Sequence, residues 1–281
     1  MHNSSPENRS GRRKLWWGDF TSGEFRDIDP ETVIAIVPLA AIEQHGPHLP
    51  LSTDTTIMEG MIATLAGELP AELDIRILPV QAVGKSNEHI RLPGTLTVPA
   101  TMLIEAWTEL GASVARTGIR KIVFVTSHGG NEEVMAIVTR ALRERFDMLA
   151  VKSSWGRFGR PDDLFSENET RTGIHGGDYE TSLMLHFRPD LVDMGQARNF
   201  VSQVVQAEQD FALLRHTGPH AFAWLASDLH ADGVVGEAHL STAEKGRAAA
   251  KHQVRGFIEL LTDIRKLRLA DYLMNKRPLR R

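Results

Sequence analysis

The strongest constraint in this sequence is a repeated pairing: a short apolar run, a loop, then a segment of helical period. Residues 33–37 (Val-Ile-Ala-Ile-Val) have no polar face, as a strand covered on both sides requires. Residues 121–127 (KIVFVTS) read as a second such strand, with further strands at 74–80 and 148–153. Between them, apolar residues recur at helical spacing over 55–69, 101–116 and 131–145. Later helices are predicted at 179–187 and 242–267, the last capped by Ser241 or Thr242. Alternation of this kind predicts an α/β fold of three layers, a mostly parallel central sheet with helices on both faces. Ligands in such folds bind beyond the carboxyl ends of the strands, so chemistry is expected in the loops that follow them. Residues 156–176, rich in Gly, Arg, Asp, Glu and Thr, suggest a long functional loop, and 195–240 show no assignable period.

With 281 residues, the chain has room for one large domain of this type. The expected organisation is a disordered tail over 1–15, one α/β domain over 16–267, and a basic tail over 268–281 that ends in KRPLRR. The polar, basic start has no apolar core of signal-peptide length, so a cytoplasmic protein is expected. No apolar run reaches membrane-spanning length, which argues against a membrane partner. A formal charge of −4 argues against a nucleic-acid partner. Cysteine is absent, which excludes disulfides, thiolate zinc sites and cysteine nucleophiles. Any metal must therefore be held by His, Asp and Glu, and the chain has 12 His.

Three clusters follow predicted strands or open predicted helices. The first strand runs into a loop that packs Glu43, His45, His48 and Asp54 into twelve residues. Glu43 and His45, two apart on an extended segment, share a face, and a carboxylate beside an imidazole suits Zn, Mn or Fe. Taken singly, Asp54 is also a helix cap and His48 a solvated loop residue. The strand at 121–127 delivers His128, followed by Gly129, Gly130 and Asn131, where Asn131 can cap the next helix. His175-Gly-Gly-Asp178-Tyr-Glu180 opens another helix, and its acidic first turn serves either a metal or the helix dipole. Val83-Gly84-Lys85-Ser86 lacks the first glycine of a phosphate loop, and no Gly-x-Ser-x-Gly elbow is present. His186, His216, His220, His230, His239 and His252 have no local partners and read as structural or surface residues.

In these motifs the chain resembles the creatininase (creatinine amidohydrolase) family. The resemblance rests on residues 38–54, 84–96 (GKSNEHIRLPGTL), 127–132, 175–185 and 233–246 (GVVGEAHLSTAEKG). It implies a three-layer α/β/α fold, a divalent metal site of two ions per subunit, and a homo-oligomer, commonly a hexamer. Glu43, His45, Asp54 and His128 fall on the family's metal-ligand positions. The family has a further Glu two residues after the histidine of the His128 motif, where this chain has Gly130. Glu180 is expected to take that role, with Asp178 as competitor. His175 matches a histidine that handles protons, and Ser86, Glu88, His89, Trp155 and Arg171 are the expected substrate contacts. The second pocket Trp of creatininase and its neighbouring Asp are replaced near Arg171 and Thr172, which implies a substrate other than creatinine. A guanidinium there would favour a carboxylate or phosphate. Relatives sharing the Ser-x-Glu-His pattern include formamide hydrolases and a peptide-trimming enzyme. The shared chemistry is metal-dependent hydrolysis of a C–N amide bond in a small substrate, with non-peptide amides expected. The rival readings are a metal-dependent lyase or isomerase on a sugar-like substrate and a non-catalytic metal-binding member.

Overall fold

The computed structural model describes residues 13–26 and 28–272, so most of the expected N-terminal tail and the closing KRPLRR lie outside the described residues. In chain order the elements are β1 (Ile34–Leu39), α1 (Thr53–Glu68), β2 (Ile75–Ile77), α2 (Ala100–Arg116), β3 (Lys121–Thr126), α3 (Glu132–Phe146), β4 (Leu149–Ser154), α4 (Glu167–Thr172), α5 (Asp178–Phe187), β5 (Asn199–Phe200), α6 (Gln203–Ala207), α7 (Ala226–Leu229), β6 (Gly236–Glu237), α8 (Ala243–Lys266) and α9 (Leu269–Tyr272). Strands β1 to β4 form one parallel sheet in the order β2-β1-β3-β4. Alternation along β1 decides which core each residue enters. Ile34 and Ile36 face α1, α5 and α8, whereas Ala35, Val37 and Leu39 face α2 and α3. β3 divides in the same way, with Val123 and Val125 on the first face and Ile122 and Phe124 on the second. A sheet apolar on both faces is stable only between two helical layers, which is the architecture seen.

β2 is shorter than the expected 74–80, because Pro79 has no N–H to continue the ladder. Its outer edge is covered by the start of the chain: Ile77 N donates to Leu15 O at 2.7 Å, and Leu15 is buried. Residue 15 thus packs against the domain rather than trailing from it. At the other end, α9 buries Leu269, whose N–H donates to Glu31 at 3.2 Å. Lys121 opens β3 with a buried side chain, and its ammonium donates to Arg265 O and Leu267 O, capping the last turn of α8. Thr242 caps the other end of that helix by accepting from Lys245 N. Among the described residues, no helix is long and apolar enough to cross a membrane.

The register places the active loops. Ile34 pairs with Lys121 and Leu39 with Thr126, so β1 and β3 end level and their following loops emerge side by side. Asn131 does not cap α3 with its side chain, as the sequence suggests. Its amide instead donates to Ala40 O and accepts from Lys85 N, tying three post-strand loops together. The stretch 156–176 is not a plain loop: it contains α4, capped by Ser166, which accepts from Glu169 N at 2.9 Å. The Ser-x-x-Glu spacing at 166–169 was the readable sign of it.

Candidate metal centre and its crevice

Glu43 lies at the middle of the site, on the loop after β1, and is wholly buried. Asp54 enters from the first turn of α1, His128 from the end of β3, and Glu180 from the first turn of α5. Glu43 Oε2 is 3.2 Å from His128 Nδ1, and Asp54 Oδ2 is 3.6 Å from the same nitrogen. His45 Nε2 is 3.9 Å from Asp54 Oδ2 and 3.7 Å from Glu180 Oε2. Ligands about 2.1 Å from one ion stand roughly 3–4 Å apart, so these spacings suit shared coordination. Two groups of three emerge, Glu43 with Asp54 and His128, and His45 with Asp54 and Glu180. Asp54 belongs to both. A third group, Glu43 with His45 and His175, overlaps them.

The imidazoles are oriented from behind. A carbonyl oxygen only accepts, so the ring nitrogen bonded to it carries the proton. His45 Nδ1 donates to Glu43 O, His128 Nε2 to Lys85 O, and His175 Nε2 to Gln44 O. In each ring the other nitrogen is aimed at the carboxylates, the arrangement a metal-binding histidine needs; in His128 a cation would have to displace a proton from it. His89 is turned the other way. Its Nδ1 accepts from the Gln44 side-chain amide at 2.8 Å, which puts the proton on Nε2, 3.3 Å from Glu43 Oε1. His89 therefore steadies Glu43. His48, fixed by Gly176 O and Thr181 Oγ1, braces the His175 loop.

Both carboxylate oxygens of Glu43, His45 Nε2 and Asp54 Oδ2 are buried and make no hydrogen bond. Polar atoms in that state are costly unless an ion satisfies them. Protonation shows the same imbalance. Burial, then Glu43, pushes Asp54 well above the usual carboxylate range, and burial pushes Glu180 up. Burial alone would raise Glu43, but the charge of His128 beside it, 3.2 Å away, holds it well below its ordinary value. Burial alone would lower His128, yet Glu43 and then Asp54 raise it to about 10. Burial and nearby His175 keep His45 well below its ordinary value, and burial takes His89 to about 3. Asp54, Glu180 and His128 are thus pushed toward their protonated forms, and divalent cations would replace those protons. The residues present fit a metal centre.

The centre opens into a crevice of about 540 Å³, lined by Glu88, His89 and His175 among the expected residues. The crevice corrects three expected contacts. Trp155 is fully buried against Phe257 and Met58 in the core under the sheet, because β4 ends in a turn that directs its ring inward. Ser86 is buried behind His128, its Oγ 3.4 Å from Nε2. Arg171 is exposed on α4 and does not line the crevice, so the reasoning from its guanidinium to an anionic substrate fails. Between the competing carboxylates, Asp178 turns away from the centre to an ion pair with Lys245 and a bond from Ser182 Oγ. Gly130 is glycine for want of room: a Cβ there would collide with Glu88, Lys85 O and His128. Sequence reasoning missed Gln44, Lys85 and Glu133, neighbours of motif residues, and Trp224, which lies in a stretch with no readable period.

Fold, parallel register and a histidine–carboxylate centre at the strand ends define a metal-dependent hydrolase of the creatininase class. The creatininase (creatinine amidohydrolase) family matches residues 18–261, and the chain belongs to it. It is 30% identical over 241 residues to the mycofactocin precursor peptide peptidase of Mycolicibacterium smegmatis, covering 85% of this chain and 87% of that protein. It is 24% identical over 269 residues to the 3-dehydro-scyllo-inosose hydrolase of Thermotoga maritima, covering 89% and 83%. A solved manganese form of creatininase superposes with a TM-score of 0.71 at 21% identity, over 91% of this chain and 100% of that one.

Proposed function

We propose that this chain is a metal-dependent amidohydrolase that cleaves a C–N amide bond in a substrate small enough to enter the crevice. The observation that carries the reading is the shared corner at Asp54: one buried carboxylate belongs to two ligand groups, Glu43/Asp54/His128 and His45/Asp54/Glu180. Such a set suits two divalent ions, Zn, Mn or Fe, per subunit. Bound there, they would supply water activated near neutral pH and polarise the amide carbonyl. Glu43 is held by His89, and the metal-facing nitrogens of His45 and His128 are aimed by backbone carbonyls bonded to the opposite ring nitrogens. His175 keeps its Nε2 proton on Gln44 O and presents Nδ1 to the centre, 3.7 Å from Glu43 Oε1. It is the group placed to take a proton and pass it to the departing nitrogen. Glu88 and His89 line the crevice and are the expected substrate contacts that remain.

The substrate class is widened from non-peptide amides to include short peptides, because a relative at 30% identity is named a peptide peptidase. A sugar-like substrate is the second reading, favoured by the inosose hydrolase likeness, and there too the named reaction is a hydrolysis. A homo-oligomer, a hexamer by family resemblance, belongs to the same proposal and is tested by light scattering. Metal-loaded protein should hydrolyse at least one member of a panel of formamides, lactams and short peptides, lose activity to a chelator, and regain it with Mn or Zn. It should turn over creatinine poorly. No amide turnover by fully metal-loaded protein would sink the proposal, and efficient creatinine hydrolysis would sink its narrower part.

A further inference from the structure

We infer that Trp224, with Leu225 and Ile174, forms a wall that binds a flat apolar group, best an aromatic ring, attached to the amide received by the crevice. The inference rests on the amidohydrolase reading. The crevice, at about 540 Å³, has the volume of sites that take drug-sized ligands, which is more than an amide needs. The substrate therefore has a further part, and the lining shows its chemistry. Ile174, Ala223, Trp224 and Leu225 line the crevice without charge, three of them consecutive.

Trp224 is the indole of this surface. Trp107 and Trp155 are fully buried, Trp16 pairs with β2, and Trp17 packs on Phe25. Trp224 is half-buried at the crevice, and its one polar atom is already used, since Nε1 donates to His216 O at 2.8 Å. What it offers a ligand is ring face and edge, which favour another ring by stacking as well as by burial. The loop that carries it is braced. Arg215 N donates to His220 O and Phe222 N to Arg215 O, while the indole bond closes residues 216–224. Asp228 of α7 then accepts from Leu225 N and pairs with Arg91, next to the turn that bears Glu88 and His89. The wall is held relative to the metal-side residues rather than left to drift.

A tryptophan face also attracts cations, so charge decides between the two. Glu43, Asp54, Glu88, Glu133 and Glu180 line the crevice with Lys85, a formal charge of −4 that two divalent ions would cancel. A loaded site then has no surplus negative charge to favour a cationic group, and a neutral ring is the better occupant.

The test uses two metal-seeking probes that differ by a ring, acetohydroxamate and benzohydroxamate, titrated calorimetrically into Mn-loaded protein. The wild type should bind benzohydroxamate about tenfold more tightly or better, the scale expected of one stacked and buried ring. Trp224→Ala should reduce that preference to about twofold or less, with Mn content and acetohydroxamate affinity unchanged. Trp224→Phe, which keeps a ring, should retain most of it. Equal affinity of the wild type for the two probes, or a preference that survives Trp224→Ala, would overturn the inference while leaving the metal centre intact. Failure of Mn-loaded protein to bind even acetohydroxamate would instead remove the amidohydrolase reading, and this inference with it.

Discussion

Glu180 and Asp178 share the first turn of α5 but serve different partners, because positions two apart on a helix point about 200° apart around its axis. Glu180 Oε2 is 3.7 Å from His45 Nε2, whereas Asp178 Oδ2 is 2.5 Å from Lys245 Nζ. Glu180→Gln should lower metal affinity by about 100-fold or more, given that losing a group that merely orients a ligand costs about 10–100-fold. Asp178→Asn should leave metal content alone and cost roughly 2–3 kcal/mol in chemical denaturation, from weakening a buried charge pair. The reverse pattern, with metal lost from Asp178→Asn alone, would reassign the ligand. The protonation of His128 gives a second test. Burial works against its charge, but Glu43 and Asp54 hold it up to about 10, so without metal its Nδ1 keeps a proton at neutral pH. In the metal-free protein, that raised pKa contributes stability which is complete below about 6.5 and lost as pH rises through about 10. A cation on Nδ1 must expel the same proton. Metal affinity should therefore rise between about pH 6.5 and 10, by up to about tenfold per unit for each proton displaced. Calorimetric titrations in buffers of different ionisation enthalpy count the protons, and a pH-independent affinity with no release would contradict the assignment. The clustering of the candidate ligands was legible because each sits a few residues beyond a readable strand or in the first turn of a readable helix. The tautomers were not, since they depend on carbonyls such as Lys85 O that the fold brings in from 43 residues away.

At the scale of elements, a single carboxylate fastens the segment that carries His175 and Glu180. Glu169, from α4, is wholly buried; it accepts from Tyr179 N in the first turn of α5 at 3.1 Å and from Glu237 N on β6 at 2.8 Å. Three backbones close on it, and a Cβ at Gly173, Gly177 or Gly236 would strike the carboxylate. An anion at a helix N-terminus is favourable, and here it also joins three elements. Glu169→Gln replaces one acceptor by an NH2 that must face a backbone N–H. It should cost roughly 2–3 kcal/mol in the denaturation midpoint and weaken metal binding about tenfold through the displaced loop. Lower stability with unchanged metal affinity would show that Glu169 supports the fold without positioning the site. The strap also shows where sequence reading stops. Strands β1 and β3 and helices α1, α2, α3 and α8 announce themselves by period over 6–24 residues. α4 has six residues and β5 and β6 two each, too short for a period to register, and they form because distant groups such as Glu169 and Glu237 meet. Trp155 misled for a related reason: its place in the chain matches the family motif, but the turn after β4 sends the ring into the core.

For the whole molecule, the centre is a junction of the fold as well as a reactive site. Its candidate ligands come from the loop after β1, from α1, from the end of β3 and from α5, so residues 43 to 180 converge on one small volume. Without cations, this junction confines three carboxylates, with both oxygens of Glu43 and Oδ2 of Asp54 lacking hydrogen bonds, and it relies on retained protons for balance. Cations bound to the folded chain and not to the unfolded one would add stability by mass action, about 2.7 kcal/mol at a free concentration 100 times Kd. For a domain of this size that corresponds to a rise in Tm of roughly 5–10 °C. Scanning calorimetry should show the rise on adding Mn, its loss with a chelator, and a larger gap at pH 8 than at pH 6, because metal affinity and the cost of the metal-free state both grow as protons leave. Glu180→Gln should shrink the gap, while Asp178→Asn should lower both transitions together and leave the gap in place. A Tm indifferent to Mn and chelator across that range would mean the four elements meet for structural reasons alone, and the metal centre would have to be abandoned.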